Sequence, residues 1–259
     1  MQVFAFANQK GGVAKTTSAV TLAAGLARRN HRVLLVDLDP QGQAALLLGL
    51  PKEPGVYRFF GLEEPLADLV RPARPHLDLL PGDKSSEKVK RQLTFLENKN
   101  TILQEHLQNC GYEVVILDLA PSLDILHLNG LAASDWVIIP TRLDRLSIDG
   151  VQEILLTLAE LSQAGKCYRG YTILPTFFER STKETLLQFR ELANTFSDHL
   201  WPPIPQDAAV RSVSAQGKTL WEVSRATPAV KGIKSGRSYL GGYLQVLDRM
   251  EELLDGQEK

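Results

Sequence analysis

The run from Val3 to Thr17, VFAFANQKGGVAKTT, constrains this chain more than any other stretch. An apolar segment, Val3 to Ala7, leads into Lys10-Gly11-Gly12-Val13-Ala14-Lys15-Thr16-Thr17. Apolar residues at helical spacing follow: Ala19, Val20, Leu22, Ala23, Leu26 and Ala27. Strand, glycine-containing loop, Lys-Thr, helix is the grammar of a phosphate-binding loop. Glycines let the backbone approach a polyphosphate closely. The amides and the positive end of the helix dipole then favour the anion. In such a loop Lys15 reaches the β- and γ-phosphates and the Thr16 hydroxyl ligates Mg²⁺. Counting back from Lys15, Gln9 and Ala14 stand where the strict G-x-x-x-x-G-K-[ST] pattern has glycines.

Two more apolar runs end on acids: Arg32-Val33-Leu34-Leu35-Val36-Asp37 and Glu113-Val114-Val115-Ile116-Leu117-Asp118. Unbroken β-branched and leucine residues suit central parallel strands covered on both faces. Ligands of open α/β sheets sit at the carboxyl ends of such strands, where these acids can face a phosphate-bound Mg²⁺. Asp118, closing its run, reads as the Walker B acid that holds Mg²⁺ through water.

The spelling K-G-G-x-x-K-T-T resembles the deviant Walker A loop of the ParA/MinD partition and positioning ATPases, here of the ParA/Soj type. The resemblance covers nearly the whole chain, most strongly residues 2–50 and 113–141. It implies that Lys10 is a signature lysine crossing a dimer interface to the partner's nucleotide, and that Gly11, Gly12, Val13, Ala14, Lys15, Thr16 and Thr17 surround the phosphates. Ala14 replaces the family's usual glycine. Asp37-Leu38-Asp39-Pro40-Gln41-Gly42 looks like switch I, with Asp39 positioning the attacking water and Asp37 near the metal's outer shell. The alternative for Asp37 is a strand-end carboxylate capping the next turn. Leu119-Ala120-Pro121-Ser122-Leu123 looks like switch II. Asn129 matches a position coupling that switch to nucleotide and dimer interface, unless it serves only a local helix bond. Thr176 to Arg180, and the loop Pro205 to Asp207, fall where the family contacts adenine, so Thr176, Pro205 and Asp207 are candidate nucleotide residues.

Alternating strands and helices predict one doubly wound α/β domain over residues 1–259, a mostly parallel sheet flanked by helices. Further strands are expected at Leu77–Gly82, Asp135–Pro140 and Gly170–Thr176, with a short late one at Trp201–Asp207. Helices are expected near 83–109, at Leu146–Ala164, at Thr182–Phe196 and at Tyr239–Leu254. The stretch RPARP, Arg71 to Pro75, reads as a loop. The net charge of −1 excludes a polybasic chain, so any nucleic-acid contact needs a local patch. One exists: no Asp or Glu lies between Glu222 and Asp248, whereas Arg225, Lys231, Lys234 and Arg237 do. With Gly232, Ser235 and Gly236 among them, these cations are expected on a loop. Cys110 and Cys167 fit neither a disulfide framework nor a metal site and are expected to be buried or half-buried thiols.

No signal peptide or spanning segment is visible, and no helix-turn-helix recognition element. The expected protein is cytoplasmic and nucleoid-associated. It forms an ATP- and Mg²⁺-dependent sandwich homodimer, holds non-specific DNA, and is released when a ParB-like adaptor stimulates hydrolysis to ADP and phosphate. The alternatives are a MinD-like membrane-cycling ATPase, which needs a basic amphipathic tail, a metabolic P-loop enzyme of the same superfamily, or a non-hydrolysing module.

Overall fold

A computed structural model describes residues 1–93, 100–223 and 227–256. In chain order the elements are β1 (Gln2–Phe6), α1 (Lys15–Arg28), β2 (Val33–Asp37), α2 (Gln43–Leu47), α3 (Gly55–Gly61), α4 (Leu66–Leu69), β3 (Arg71–Arg74), β4 (Leu77–Leu80), α5 (Ser86–Leu93) and α6 (Ile102–Leu107). They continue with β5 (Val114–Asp118), α7 (Ile125–Ala133), β6 (Trp136–Arg142), α8 (Ser147–Gln163), β7 (Gly170–Thr176) and α9 (Lys183–Phe196). The last are α10 (Ala208–Ser214), α11 (Leu220–Val223), α12 (Pro228–Lys231), β8 (Ile233–Ser235), β9 (Ser238–Leu240) and α13 (Tyr243–Leu254).

Seven strands form one sheet in the order β3-β4-β2-β5-β1-β6-β7. All pairings are parallel except β3 with β4. Because strand side chains alternate, Val3, Ala5, Val36, Val115 and Leu117 enter one buried layer with α7 and α8. Phe4, Phe6, Leu35, Val114 and Ile116 enter the opposite layer with α1 and α13. Each fully buried Phe or Leu of these layers contributes about 1.5–3 kcal/mol.

Several expectations need correction. Arg71–Arg74 is not a loop but the antiparallel edge strand β3. Its Pro72 is tolerated because an edge position needs no N–H on its outer side. The terminal helix begins at Tyr243, not Tyr239. Gly241 and Gly242 have φ of 77° and 87°, outside the helical region. A side chain on Gly241 would lie 1.9 Å from the Pro203 carbonyl oxygen. The basic segment is a small hairpin, β8 paired with β9, rather than a loop. Residues 200–205 touch β7 and the segment after it by isolated bridges at Leu200 and Pro205, so the expected late strand is only a trace. Cys110 is half-buried as expected, whereas Cys167 is exposed.

Among the described residues no helix is long and apolar enough to cross a membrane. Helix α13 buries Tyr243, Val246, Leu247 and Met250 in the layer that holds α1.

Candidate functional site

The loop after β1 is held from several sides. Asn8, fully buried, donates from Nδ2 to the Pro140 carbonyl (2.9 Å) and accepts the Lys10 amide on Oδ1 (2.9 Å). The Thr176 hydroxyl at the end of β7 donates to the Val13 carbonyl (3.2 Å). Lys15 is 7% exposed and its Nζ donates to the Lys10 carbonyl (2.9 Å), curling the loop around its ammonium. Burial lowers the Lys15 pKa, while the charges of Asp118 and Asp39 pull it back.

Ala14 caps α1 in the left-handed region, φ 67° and ψ 33°. A non-glycine residue there costs about 1–2 kcal/mol. The loop thus keeps the backbone course that glycine would take, so the substitution shows as strain rather than as an altered path.

Asp37 and Asp118 are register partners at the carboxyl ends of adjacent strands, and Phe6 of β1 flanks Asp118 on the other side. Burial, then the Asp118 charge, holds the Asp37 carboxyl well above the usual range. Its oxygens accept the amides of Ala44 (3.0 Å) and Asp39 (3.2 Å), so it caps the turn that follows. Asp118 has both oxygens buried without a hydrogen-bond partner among the described residues. Burial first, and Asp39, push its pKa up to about 7 against the pull of the Thr16 hydroxyl and Lys15. Two orphaned carboxylate oxygens beside Thr16 and a phosphate loop suit a hard cation that brings its own water. Among the described residues no three His, Cys, Asp or Glu side chains cluster to hold a metal alone. Thr16, water and phosphate oxygens would complete the shell.

A carboxyl whose pKa is higher when folded binds its proton more tightly in the folded state. It therefore supports folding at low pH and withdraws that support as pH rises from about 4 to about 7. Without nucleotide or Mg²⁺, the urea midpoint is expected to fall across that window. Asp118→Asn should flatten that slope.

The segment after β2 rests on backbone. A Cβ on Gly82, after β4, would lie 2.2 Å from the Asp37 carbonyl oxygen and 3.2 Å from that of Asp39. The sequence reading does not single out Gly82, although a glycine at a strand's carboxyl end is the signal for close backbone approach. Gly82→Ala should lower stability by about 2–4 kcal/mol, the range of severe single substitutions. Thermal unfolding checks this.

A cavity of about 410 Å³ opens beside the loop, lined by Ala14, Thr17, Arg142, Thr176, Phe177, Ile204, Pro205, Asp207, Arg211 and Tyr243 among others. The expected residues Thr176, Pro205 and Asp207 therefore converge. Asp207 spends its carboxylate on the amides of Ala209 (2.9 Å) and Ala229 (3.0 Å), fixing the wall. Arg142, whose guanidinium lies 5.1 Å from the Phe177 ring centre, and Arg211 carry no sequence motif that would have marked them.

Lys10 in the single chain bonds through Nζ to the Leu146 carbonyl and lies across Gly150 at the start of α8. Asn129 makes the local helix bond that stands as its alternative in the sequence. It is fully buried among helices, accepting the Leu103 amide (3.1 Å) and donating to the Ile125 carbonyl (2.8 Å), rather than lining the cavity. Lys231, Lys234 and Arg237 are exposed at and beside the hairpin, and Arg225 lies outside the described residues.

Comparison with known proteins adds independent findings. A family model described as an AAA domain matches residues 1–167. The chain is 39% identical to the chromosome-partitioning ATPase Soj of Thermus thermophilus, covering 86% of this chain and 89% of that protein. It is 30% identical to the sporulation initiation inhibitor protein Soj of Bacillus subtilis, over 85% and 90% of the two. Among solved structures, an Asp-to-Ala variant of Cyanothece McdA in complex with ATP superposes with TM-score 0.83 at 18% identity, covering 100% and 98% of the two chains. Mycobacterium smegmatis cobyrinic acid a,c-diamide synthase, with a bound ATP analogue and magnesium, gives 0.74 at 29%, over 88% and 98%.

Proposed function

Because this chain belongs to the Soj/ParA family of P-loop ATPases, we propose that it is an ATP-driven partition switch whose ATP-bound dimer holds non-specific DNA and whose hydrolysis step releases it. The carrying observation is the meeting of Lys15, the orphaned Asp118 and the switch I acid Asp39 at the carboxyl ends of adjacent strands.

ATP is the substrate. Lys15 and the amides of Gly11 to Thr17 bind its phosphates, and the cavity past Thr17 takes the base and ribose. Thr16, and Asp118 through water, would hold Mg²⁺, which would supply charge neutralisation for the departing phosphate. Asp39 orients the attacking water, and Asp37 holds the backbone that presents it. Catalysis of this kind is positioning plus electrostatics. Lys10 must leave the Leu146 carbonyl to reach a partner's nucleotide. One exposed hydrogen bond costs only about 1 kcal/mol to give up, so dimer contacts can outweigh it.

The dimer would present two copies of the patch made by Lys231, Lys234 and Arg237. Such binding is sequence-independent and salt-sensitive. An adaptor of the ParB kind would stimulate hydrolysis, giving a cytoplasmic protein that visits the nucleoid. DNA affinity should be highest with ATP and weak with ADP or no nucleotide across a salt series. Lys234→Ala with Arg237→Ala should flatten the salt slope by about one for each phosphate no longer neutralised. Equal affinity in all three nucleotide states overturns the switch. The 29% identity to a diamide synthase raises one competing reading, an ATP-dependent amide-forming enzyme. Turnover that rises with a small carboxylic acid and ammonia donor, and not with DNA, would select it.

A further inference from the structure

The stretch following Asp118 leaves the sheet as an exposed turn, Pro121 to Leu123, fastened at both ends. At its far end Asp124 caps α7 through the amides of Leu126 (3.0 Å) and His127 (3.2 Å). The same carboxylate takes the Ser122 hydroxyl (2.5 Å) and the Lys90 ammonium (2.8 Å). At its near end the Ala120 carbonyl faces Nδ1 of His127 at 2.9 Å.

His127 is an odd residue for its place. It is 1% exposed, in a helix whose buried neighbours include Leu126, Leu131 and Ala132. A carbonyl oxygen only accepts, so Nδ1 must carry the hydrogen and the neutral ring leaves Nε2 as a bare acceptor. Nε2 is buried and has no partner among the described residues. Burial depresses the ring's pKa, and the nearby Lys15 charge acts in the same direction, against the pull of the Ala120 carbonyl and Asp124. An unmet buried polar atom is costly, and a leucine would fill this helix position without it. The one thing histidine adds is the donor to Ala120.

We propose that His127 is a positioning residue for hydrolysis, its Nδ1–H fastening the Ala120 carbonyl so that residues 119–123 stand ready to respond to the terminal phosphate. This rests on the ATPase reading above. His127 touches no reacting atom; it acts through the backbone that follows the metal-facing strand.

The test compares His127→Asn, His127→Leu and His127→Ala in the full chain. Asparagine can place an amide donor near the position of Nδ1; leucine fills the volume without one. Two readouts are taken: ATP binding and turnover, and hydrogen exchange of the amides of residues 119, 120, 122 and 123 without nucleotide. Leucine and alanine should slow kcat about 10- to 100-fold, the scale of one missing positioning bond. Their Kd for ATP should stay within about threefold of the unaltered protein, and exchange in the segment should speed up. Asparagine should restore both. If leucine matches the unaltered protein in exchange and rate, or restores what asparagine does not, the position is only a packing site and the proposal is overturned. Should the alanine variant not fold, the asparagine–leucine pair still decides. If the unaltered protein turns over no ATP, the functional reading fails, while the exchange comparison still decides whether the fastening exists.

Discussion

Lys15→Ala is expected to abolish measurable ATP binding. The ammonium sits 7% exposed inside the curl of its own loop, bonded to the Lys10 carbonyl. It faces two acids that would otherwise repel a triphosphate. Removing one partner of a buried charge pair costs about 3–5 kcal/mol, or roughly 10²- to 10⁴-fold in affinity. Without nucleotide the variant should remain folded, because truncation also removes a buried cation. Its Asp118 carboxyl should rise further in pKa once the Lys15 charge is gone. Calorimetric titration with a slowly hydrolysed ATP analogue, beside a circular dichroism check, decides the matter. Binding within tenfold of the unaltered protein would remove Lys15 from the phosphate site.

Asp39→Ala should have the opposite signature: binding kept, turnover abolished. Asp39 is half-buried and accepts the Gln41 amide on Oδ1 (2.8 Å), which keeps it at the mouth of the site. Taking away a negative charge beside a triphosphate should not weaken its binding. Loss of the group that orients water should cost at least about 10²-fold in kcat. ATP-bound dimers should therefore accumulate, visible by light scattering as a doubled mass that persists after ATP addition. Turnover at the normal rate would show that another group orients the water.

How much of the site is legible in the sequence depends on how local each feature is. The phosphate loop is legible because residues 9–17 are contiguous and the chemistry of Lys15 and Thr16 follows from their spacing. Asp37 and Asp118 are legible as acids ending buried strands. Gly82 is not, because its partner is the Asp37 backbone, distant in sequence. Arg142, Phe177 and Arg211 belong to three different parts of the chain and meet only because β6, β7 and α10 come together on one side of the sheet. Asn129 is only half legible for a related reason. Its sequence neighbourhood resembles switch II, but the helix turns its amide toward α6.

Secondary structure departs from expectation where local composition and tertiary pairing disagree. Two prolines make Arg71 to Pro75 look like a loop, yet an outer edge beside β4 accommodates Pro72. Tyr239 and Leu240 fit the period of the terminal helix, but the close approach of Gly241 to Pro203 delays its start to Tyr243.

Residue order alone decided the chemistry: a cation-bearing glycine loop between strand and helix, and carboxylates at the ends of buried runs. Periodicity and local backbone preference act over a few residues, so they survive reading in one dimension. The fold decided what faces what: Lys10 parked on Leu146, both Asp118 oxygens left bare, Asn129 turned into the helical layer, and His127 reaching back to Ala120. Those are relations between surfaces brought together by strand order and helix rotation, and no spacing along the chain encodes them.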